Sequence, residues 1–371
     1  MSPSGHLPKP LRATLIVFAC ILASALGGCS TAGYYWQAVS GHMQMVNAAR
    51  PVSELLLDPQ TPNALQQRLL LSQRIRSFAV KELNLPDNTS YHRYTDLHRS
   101  AVVWNVVVVP EFSLTLKTWC FPVAGCVGYR GYFSEADARA EADRQKVEGL
   151  EVNVYPVPAY STLGWMNWAG GDPLLNTYIN YPQGELARLI FHELAHQVVY
   201  ASGDTTFNES FATTVERLGS QRWLATQAGD AARQSYATFD HRRQSFKALL
   251  LSTRCKLQAI YDEKEAVTPY LLTQKATKSI AKQEAMQHFR DNYALLKTSW
   301  GGFSGYDMWV ASANNAAFGA QAAYDDFVPG FGALFEREGR DYKRFYDAVT
   351  RLSKLPIDER KKLLKNNSTT P

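Results

Sequence analysis

The chain has 371 residues, of which 46% are hydrophobic, 12% aromatic and 20% charged, a composition that is typical of globular proteins and excludes a disordered or collagen-like chain. The formal net charge of +5 comes from 39 basic and 34 acidic residues, and the basic residues are scattered along the sequence. Because a nucleic-acid-binding surface needs clustered basic residues, we expect no nucleic-acid partner.

The first 28 residues have the pattern of a signal peptide. A short basic segment precedes the apolar run Ala13–Leu26, which is too short to serve comfortably as a permanent membrane span. The run ends in Leu-Gly-Gly-Cys29, which resembles a bacterial lipobox; a plain secretory signal with an incidental cysteine is the alternative. The resemblance implies a lipoprotein that begins at Cys29 and contacts the membrane through its lipid. Ser30 at the next position implies the outer membrane, with the protein facing the periplasm.

Three cysteines remain after the lipidated one. Cys120 and Cys126 bracket a short turn that contains Pro and Gly, and this spacing is compatible with a disulfide that an oxidising periplasm would preserve. Two free thiols are the alternative. Cys255 lies in a helical stretch and is expected to be an inert, buried thiol.

Residues 29–182 are predicted to mix helices with a few strands. The segment Tyr34–Pro62 is expected to be irregular, whereas leucine and isoleucine at helical spacing predict a helix over Asn63–Leu83. β-Branched residues predict a buried strand at Ala101–Val109 and a second strand at Phe112–Leu116. Ser134, followed three residues later by an aspartate, predicts the start of a helix that ends near residue 149.

An edge strand is predicted next, and helices follow it. Alternating apolar residues over Leu150–Tyr160 indicate a strand, and its two prolines place it at the edge of a sheet. The segment Val154–Leu163 is therefore the predicted place where a peptide could add as an extra strand. After Gly184 the pattern is almost entirely helical.

The sequence His192-Glu193-Leu194-Ala195-His196 provides the main chemical signal. Residues four apart lie on one face of a helix, so both imidazoles can reach one metal ion while Glu193 projects beside it. The surrounding residues, from Gly184 towards Gly203, follow an apolar helical pattern. This arrangement indicates a metal site, and such a site needs a third ligand.

Glu209 is the candidate third ligand. We expect the first helix to continue about one and a half turns past His196, to end at Gly203-Asp204, and to be followed by a second helix capped by Thr205 or Thr206. Such a hairpin brings the carboxylate back to the metal. Two histidines and one glutamate leave one position open, which is typical of catalytic rather than structural zinc.

These motifs resemble those of the gluzincin metallopeptidases, especially the zinc aminopeptidases with HExxH followed by NExFA, here Asn208–Ala212. Leu163-Gly164-Trp165, Asp172-Pro173-Leu174 and Glu185–Gln197 are similar to segments of predicted bacterial zinc aminopeptidase lipoproteins. The resemblance implies one Zn²⁺ ion bound by three side chains, with a fourth as general base. The ligands are His192, His196 and Glu209, and the base is Glu193.

The same resemblance implies an α+β, helix-rich, zincin-like fold with a small sheet and a helical carboxy-terminal half. We expect one metallopeptidase unit over residues 29–371, whose part at 29–182 is mixed and whose part at 183–371 carries the zinc site. Two departures from the better-known aminopeptidases matter. Only 12 residues separate His196 from Glu209, and the Gly-x-Met-Glu-Asn exopeptidase signature is absent.

Four further residues are candidates for supporting roles. Asn208 and Glu216 could accept a hydrogen bond from a ligating imidazole, although Glu216 could equally pair with a surface arginine. Asp172 could bind a substrate ammonium, or be a turn or helix-cap aspartate. Tyr324 could donate to an oxyanion, or belong to the apolar face of a helix.

The sequence therefore predicts a zinc-dependent peptidase, and by resemblance an aminopeptidase, that acts on peptide substrates with a zinc-activated water and Glu193 as general base. Two other functions fit the same residues. One is a non-enzymatic, metal-binding envelope lipoprotein, and the other is a zinc amidase that acts on cell-wall peptides.

Overall fold

The computed structural model describes residues 33–121, 125–262, 271–321 and 326–367. The predictions for Cys29 and Tyr324 concern positions outside these ranges. Within the described ranges, no helix combines the length and the apolar character needed to cross a bilayer.

The described chain begins with a helix, α1, over residues 33–47, so the prediction of an irregular entry at Tyr34–Pro62 was wrong. Tertiary packing stabilises this helix. The Tyr34 ring lies 5.5 Å from that of Tyr132, and the Gln37 amide accepts a hydrogen bond from the Phe133 backbone N–H at 3.0 Å. A two-residue strand, β1 (Arg50–Pro51), and a short helix, α2 (Val52–Leu57), follow.

The predicted helix α3 is confirmed over Asn63–Leu83. It ends at Asn84, whose φ of 49° lies in the left-handed region that asparagine tolerates better than most residues. On its buried face, the Phe78 ring packs edge-on against Trp223 at 5.1 Å. This contact joins α3 to the helix that carries Glu209.

Two three-stranded sheets and one hairpin make up the strand content of the described residues. The strands of the first half are β2 (Arg93–Thr95), β3 (Val103–Val109), β4 (Trp119–Phe121), β5 (Gly125–Val127) and β6 (Arg130–Tyr132), followed by helix α4 (Glu135–Val147) and strands β7 (Glu151–Val157) and β8 (Leu174–Leu175). One sheet has the order β1-β2-β8; the second, β6-β3-β7, is antiparallel throughout. In the second sheet Asn105 of β3 lies opposite Tyr155 of β7.

The strand predictions were largely confirmed. The buried strand β3 and the edge strand β7 are present, and the Ser134 side chain caps α4 by accepting from the Asp137 N–H. The predicted strand at Phe112–Leu116 is wrong, because that segment is irregular. Its residues instead cross to the helical half, where Phe112 packs against Tyr261 at 5.9 Å.

Cys120 and Cys126 lie opposite each other in the β4–β5 hairpin and form a disulfide. The hairpin packs closely on a loop of the helical half, since a side chain at Gly125 would meet the backbone of Gly203.

The second half is helical, as predicted. Its helices are α5 (Gln183–His196), α6 (Thr205–Gln227), α7 (Asp230–Asp262), α8 (Leu271–Ser299), α9 (Asp307–Ser312), α10 (Asn315–Ala320), α11 (Val328–Arg337), α12 (Tyr342–Ser353) and α13 (Ile357–Asn367). Cys255 of α7 is exposed, which corrects the prediction of a buried thiol. The buried face of that helix is formed instead by Phe246, Leu250, Thr253 and Leu257.

The main core lies between α3, α5, α6, α11 and α12. Phe207 and Phe211 of α6 contact Phe331 of α11 at ring-centroid distances of 5.2 and 5.8 Å. A second apolar cluster joins α7, α8, α9 and α10, where Phe246 stacks on Tyr306 at 4.1 Å. The core fixes one face of α5 and α6, so their opposite faces are held firmly at a cavity between the two clusters.

Candidate metal centre

Helix α5 has one buried face and one face towards the cavity. Leu186, Ile190 and Leu194, four residues apart, are fully buried. His192 and His196, also four apart, line the cavity together with Glu193. The amphipathic pattern of the sequence therefore orients the HExxH residues towards one space.

Helix α5 ends at His196, and Gln197 is its C-cap. The prediction that it runs further was wrong, because the chain turns away at residues 197–204. Asp204, not a threonine, caps α6: its side chain accepts from the Phe207 N–H at 3.1 Å. Arg360 of α13 forms a buried ion pair with the other oxygen of Asp204 at 3.1 Å. The start of α6 is thus fixed from two sides.

Asn208 closes the loop between the two helices. Its side chain accepts from the Ala201 N–H at 2.7 Å and donates to the Ala201 carbonyl at 2.8 Å. The structure therefore uses this buried amide to hold the loop, whereas the sequence suggested a bond to an imidazole. These two hydrogen bonds fix the start of α6 relative to the end of α5, one residue before Glu209.

The loop and the two helices bring His192, His196 and Glu209 together. The two Nε2 atoms lie 3.2 Å apart, and Glu209 places Oε2 3.3 Å from Nε2 of His192 and Oε1 3.8 Å from Nε2 of His196. Zinc with tetrahedral bonds of about 2.0–2.1 Å sets its ligand atoms about 3.3 Å apart. The donor types and their spacing therefore fit one zinc ion.

Glu216 orients His192 from behind. His192 Nδ1 donates to Glu216 Oε2 at 3.0 Å, which leaves Nε2 free to face the other two ligand atoms. Arg188 donates to the second oxygen of Glu216 through Nε, at 2.8 Å, and Nη2. Burial opposes ionisation, but Arg188 and His192 hold the pKa of Glu216 at about 2.

The ionic contacts continue from α5 to α7. Arg188 lies 3.9 Å from Glu185, and Glu185 accepts two hydrogen bonds from Arg243 of α7 at 2.8 and 3.1 Å. Arg243 also pairs with Asp240 at 2.9 Å. A continuous charged network, Arg243–Glu185–Arg188–Glu216, therefore stands behind His192.

The two imidazoles have different electrostatic surroundings. Burial lowers the pKa of His196 to about 4, so that imidazole is neutral. Burial also disfavours charge on His192, but hydrogen bonds to Glu209 and Glu216 raise its pKa well above the usual value. Because a ligating imidazole must be unprotonated, a metal ion would compete with that proton.

Glu193 lies next to the ligands and lines the same cavity. Burial raises the pKa of its carboxyl to about 7, with the nearby charges of Glu209 and Asp172 adding to the effect. A carboxyl in this position can hold or release a proton near neutrality. A divalent cation at the neighbouring ligands would shift that pKa downward.

Asp172 is 1% exposed and supports the segment that follows β7. Both of its carboxylate oxygens lie 3.1 Å from the Thr162 backbone N–H, and Ser161 and Gln197 also donate to it, at 3.5 and 3.4 Å. These contacts correspond to the alternative interpretation of Asp172 as a turn residue. Burial raises its pKa to about 6.

The cavity beside the ligands has a volume of about 1180 Å³. Its walls come from α1, the β6-β3-β7 sheet, the segment after β7, and helices α5, α6 and α7. The first half of the β7 edge is occupied, since Asn314 donates to the Val152 carbonyl at 2.9 Å. Residues 157–163 lie along the cavity wall, and there an extended peptide could be accommodated.

Sequence reasoning missed the tyrosines around the ligands. Tyr129 and Tyr200 line the cavity, and burial together with the charge of Glu209 raises the pKa of Tyr200. Burial and the charge of Glu209 also raise the pKa of Tyr155, whose hydroxyl oxygen accepts a hydrogen bond from the Asn105 amide at 3.3 Å. With 19 tyrosines in the chain, only the fold distinguishes these three.

Comparison with known families gives one match. Residues 33–364 match the family model described as "Putative aminopeptidase". No curated protein and no solved structure shows significant similarity to the chain. Because the match covers far more than half of the 371 residues, the chain belongs to this aminopeptidase family, and the membership supports a peptidase-like function.

Proposed function

We propose that the protein is a zinc-dependent aminopeptidase. The observation that carries the proposal is the convergence of His192, His196 and Glu209 within zinc-binding distance of one another, with Glu193 beside them at a large cavity. The family match supports peptide hydrolysis. The open side of the ligand group faces the cavity, as a catalytic rather than a structural site requires.

The roles of the residues follow from their positions. Zinc at the three ligands would act as a Lewis acid towards water and the peptide carbonyl. Glu193 accepts the proton of the attacking water on a carboxylate oxygen and passes it to the leaving amine. Glu216 keeps the Nδ1 proton of His192 in place, so that Nε2 presents its lone pair to the metal.

Peptide binding is proposed along residues 157–163. Strand β7 ends at Val157 and the segment after it is irregular, and main-chain hydrogen bonds to this segment would align a carbonyl without demanding a particular side chain. The apolar residues of this wall include Val157, Ala159 and Leu163.

Replacement of Glu193 tests the proposal. Glu193→Gln should lower kcat by roughly 10²–10⁴-fold, because it removes the proton acceptor, while zinc content stays at one ion per chain. The exposed Glu284→Gln on α8 is the matched control and should leave both quantities unchanged. Zinc is measured by metal analysis, and turnover is measured on peptides with free and acetylated amino termini.

Three results would contradict the proposal. Wild-type protein loaded with zinc that hydrolyses none of the peptides would favour a non-enzymatic metal-binding protein. Equal cleavage of free and acetylated peptides would contradict the amino-terminal specificity, and cleavage restricted to cell-wall peptides would favour an amidase.

Membrane attachment is a separate proposal that is based on the sequence around Cys29. We infer lipidation of this cysteine and retention in the outer membrane, facing the periplasm. Labelled fatty acid should be incorporated into the wild-type chain and not into Cys29→Ser; incorporation into both would contradict the lipobox.

A further inference from the structure

The wall of the cavity formed by α7 carries three basic residues. Arg243, Lys247 and Arg254 of this helix all line the cavity, separated by apolar residues such as Leu250 and Leu251. A basic stripe on a cavity wall is suited to an anionic group of a ligand. The partners of each basic side chain decide which of them is available.

Arg243 is fully engaged, because it pairs with Glu185 and Asp240. Lys247 makes a contact of its own. Arg254 differs: among the described residues it has no ion pair, and its Nε is buried without a hydrogen-bond partner. A bound molecule in the cavity would meet the guanidinium at its terminal amino groups, whose charge is not paired with any described carboxylate.

We propose that Arg254 binds a carboxylate of the peptide substrate. An arginine presents two parallel N–H groups that match the two oxygens of a carboxylate, and it stays charged at every physiological pH. The inference rests on the proposed function, since the ligand is taken to be a peptide. The carboxylate is either the free carboxy terminus or an acidic side chain.

The metal ligands and Arg254 line the same cavity. Arg243 stands behind the ligands through Glu185 and Arg188, and Arg254 lies 11 positions further along the same helix. At 1.5 Å per residue, the two arginines are about 16 Å apart along α7. A peptide that reaches both the metal ligands and Arg254 therefore extends across the cavity, and its length is found with peptides of graded length.

Peptide series of three to eight residues test this inference, each peptide being made with a free or an amidated carboxy terminus. The wild-type protein should have the lowest KM for free-carboxylate peptides of one length, the length that spans the cavity from the metal ligands to Arg254. Arg254→Gln should raise that KM roughly tenfold or more without changing zinc content or kcat. Lys256→Gln, an exposed change on the same helix, is the control and should alter nothing.

The series also distinguishes the two sources of the carboxylate. Loss of the preference on amidation points to the carboxy terminus; a preference that persists only in peptides with Asp or Glu at the matching position points to a side chain. Arg254→Lys should restore binding only in part, because the ammonium lacks the paired N–H groups.

Binding is also measured with Glu193→Gln and the same peptides, so that the inference does not depend on turnover. Equal affinity for free and amidated peptides of every sequence, or equal affinity with and without Arg254, would overturn the inference and leave the proposed function standing. Absence of hydrolysis together with carboxylate-dependent binding would overturn the proposed function alone.

Discussion

The two sides of helix α5 support the metal centre by different means. On the α6 and α7 side, ionic groups follow one another from Arg243 to Glu216 and end on His192. On the opposite side, which we call the neutral side, the support is a hydrogen-bond network around Gln197, the residue after His196, and no described cation pairs with its one carboxylate, Asp172. The Asn88 side chain donates to the side-chain oxygen Oε1 of Gln197 at 2.7 Å, and Gln197 Nε2 donates to Ser90 at 3.2 Å and to Asp172 at 3.4 Å.

The difference is visible in the two buried carboxylates. Glu216 has Arg188 beside it, and despite its burial its pKa is held at about 2. Asp172 has only hydrogen bonds, and burial raises its pKa to about 6. An adjacent guanidinium therefore keeps a buried carboxylate charged, whereas hydrogen-bond donors alone do not compensate for its lost hydration. The charged side fixes the basicity of an imidazole, whereas the neutral side fixes the shape of the loop and adds to the raised pKa of Glu193.

Replacement of the ligand Glu209 should have the largest effect on zinc affinity. Glu209→Gln takes one oxygen donor from the site, so zinc affinity should fall by more than about 100-fold and activity should fall with it. Competition with a chromogenic chelator measures the affinity. Unchanged zinc content and turnover in this variant would remove Glu209 from the ligand set.

The charged side is tested by Glu216→Gln. The amide can still accept from His192 but carries no charge and leaves Arg188 with Glu185 as its ionic partner, so zinc affinity should fall by roughly 10–100-fold, less than in Glu209→Gln. Arg188→Gln should also lower the zinc affinity. Gln197→Glu, on the neutral side, is the matched comparison. If loss of charge at Glu216 leaves the affinity unchanged, the network has no role in metal binding.

Much of the candidate site follows from local sequence, because helix periodicity places His192 and His196 on one face and a short loop returns Glu209. Among the supports, Glu216 was a candidate from the sequence, and the structure places it against His192, but the groups that hold the supports in place do not follow from local sequence. Glu185 and Arg243 are 58 positions apart, and the partner of the capping residue Asp204 is Arg360 in the carboxy-terminal helix. Such pairs depend on how helices that are distant in the sequence pack together, and the hydrophobic periodicity of a single helix does not indicate this packing.

The fold shows the same limit. The strand β3 and the helix α3 have strong intrinsic patterns and were predicted. The helix α1 was missed because its stability comes from packing against Tyr132 and Phe133 of the sheet region. The exposed position of Cys255 was missed because two faces of α7 have mixed polarity, and only the packed structure shows which is buried.

The neutral side is tested through the pH dependence of the free energy of unfolding. This is the smallest of the predicted effects. The pKa of Asp172 rises from 3.8 to about 6 on folding because the carboxyl is buried. Between these values the folded protein keeps a proton that the unfolded chain has lost. The free energy of unfolding should therefore decrease as the pH rises from 4 to 6, by up to about 3 kcal/mol, and this component is present in full below the lower value.

Asp172→Asn removes this component, because the amide does not titrate while its oxygen can still accept from the Thr162 N–H. The difference in unfolding free energy between wild type and variant, measured in urea with saturating zinc, should shift in favour of the variant as the pH rises from 4 to 6. Other titrating groups are common to both proteins and cancel in the difference. Since Asp172 supports the cavity wall instead of facing a substrate amine, the variant should change KM equally for free and acetylated peptides. A pH-independent difference in unfolding free energy would show that burial does not raise the pKa of Asp172. A loss of activity confined to peptides with free amines would make Asp172 a substrate-binding group on the neutral side of α5.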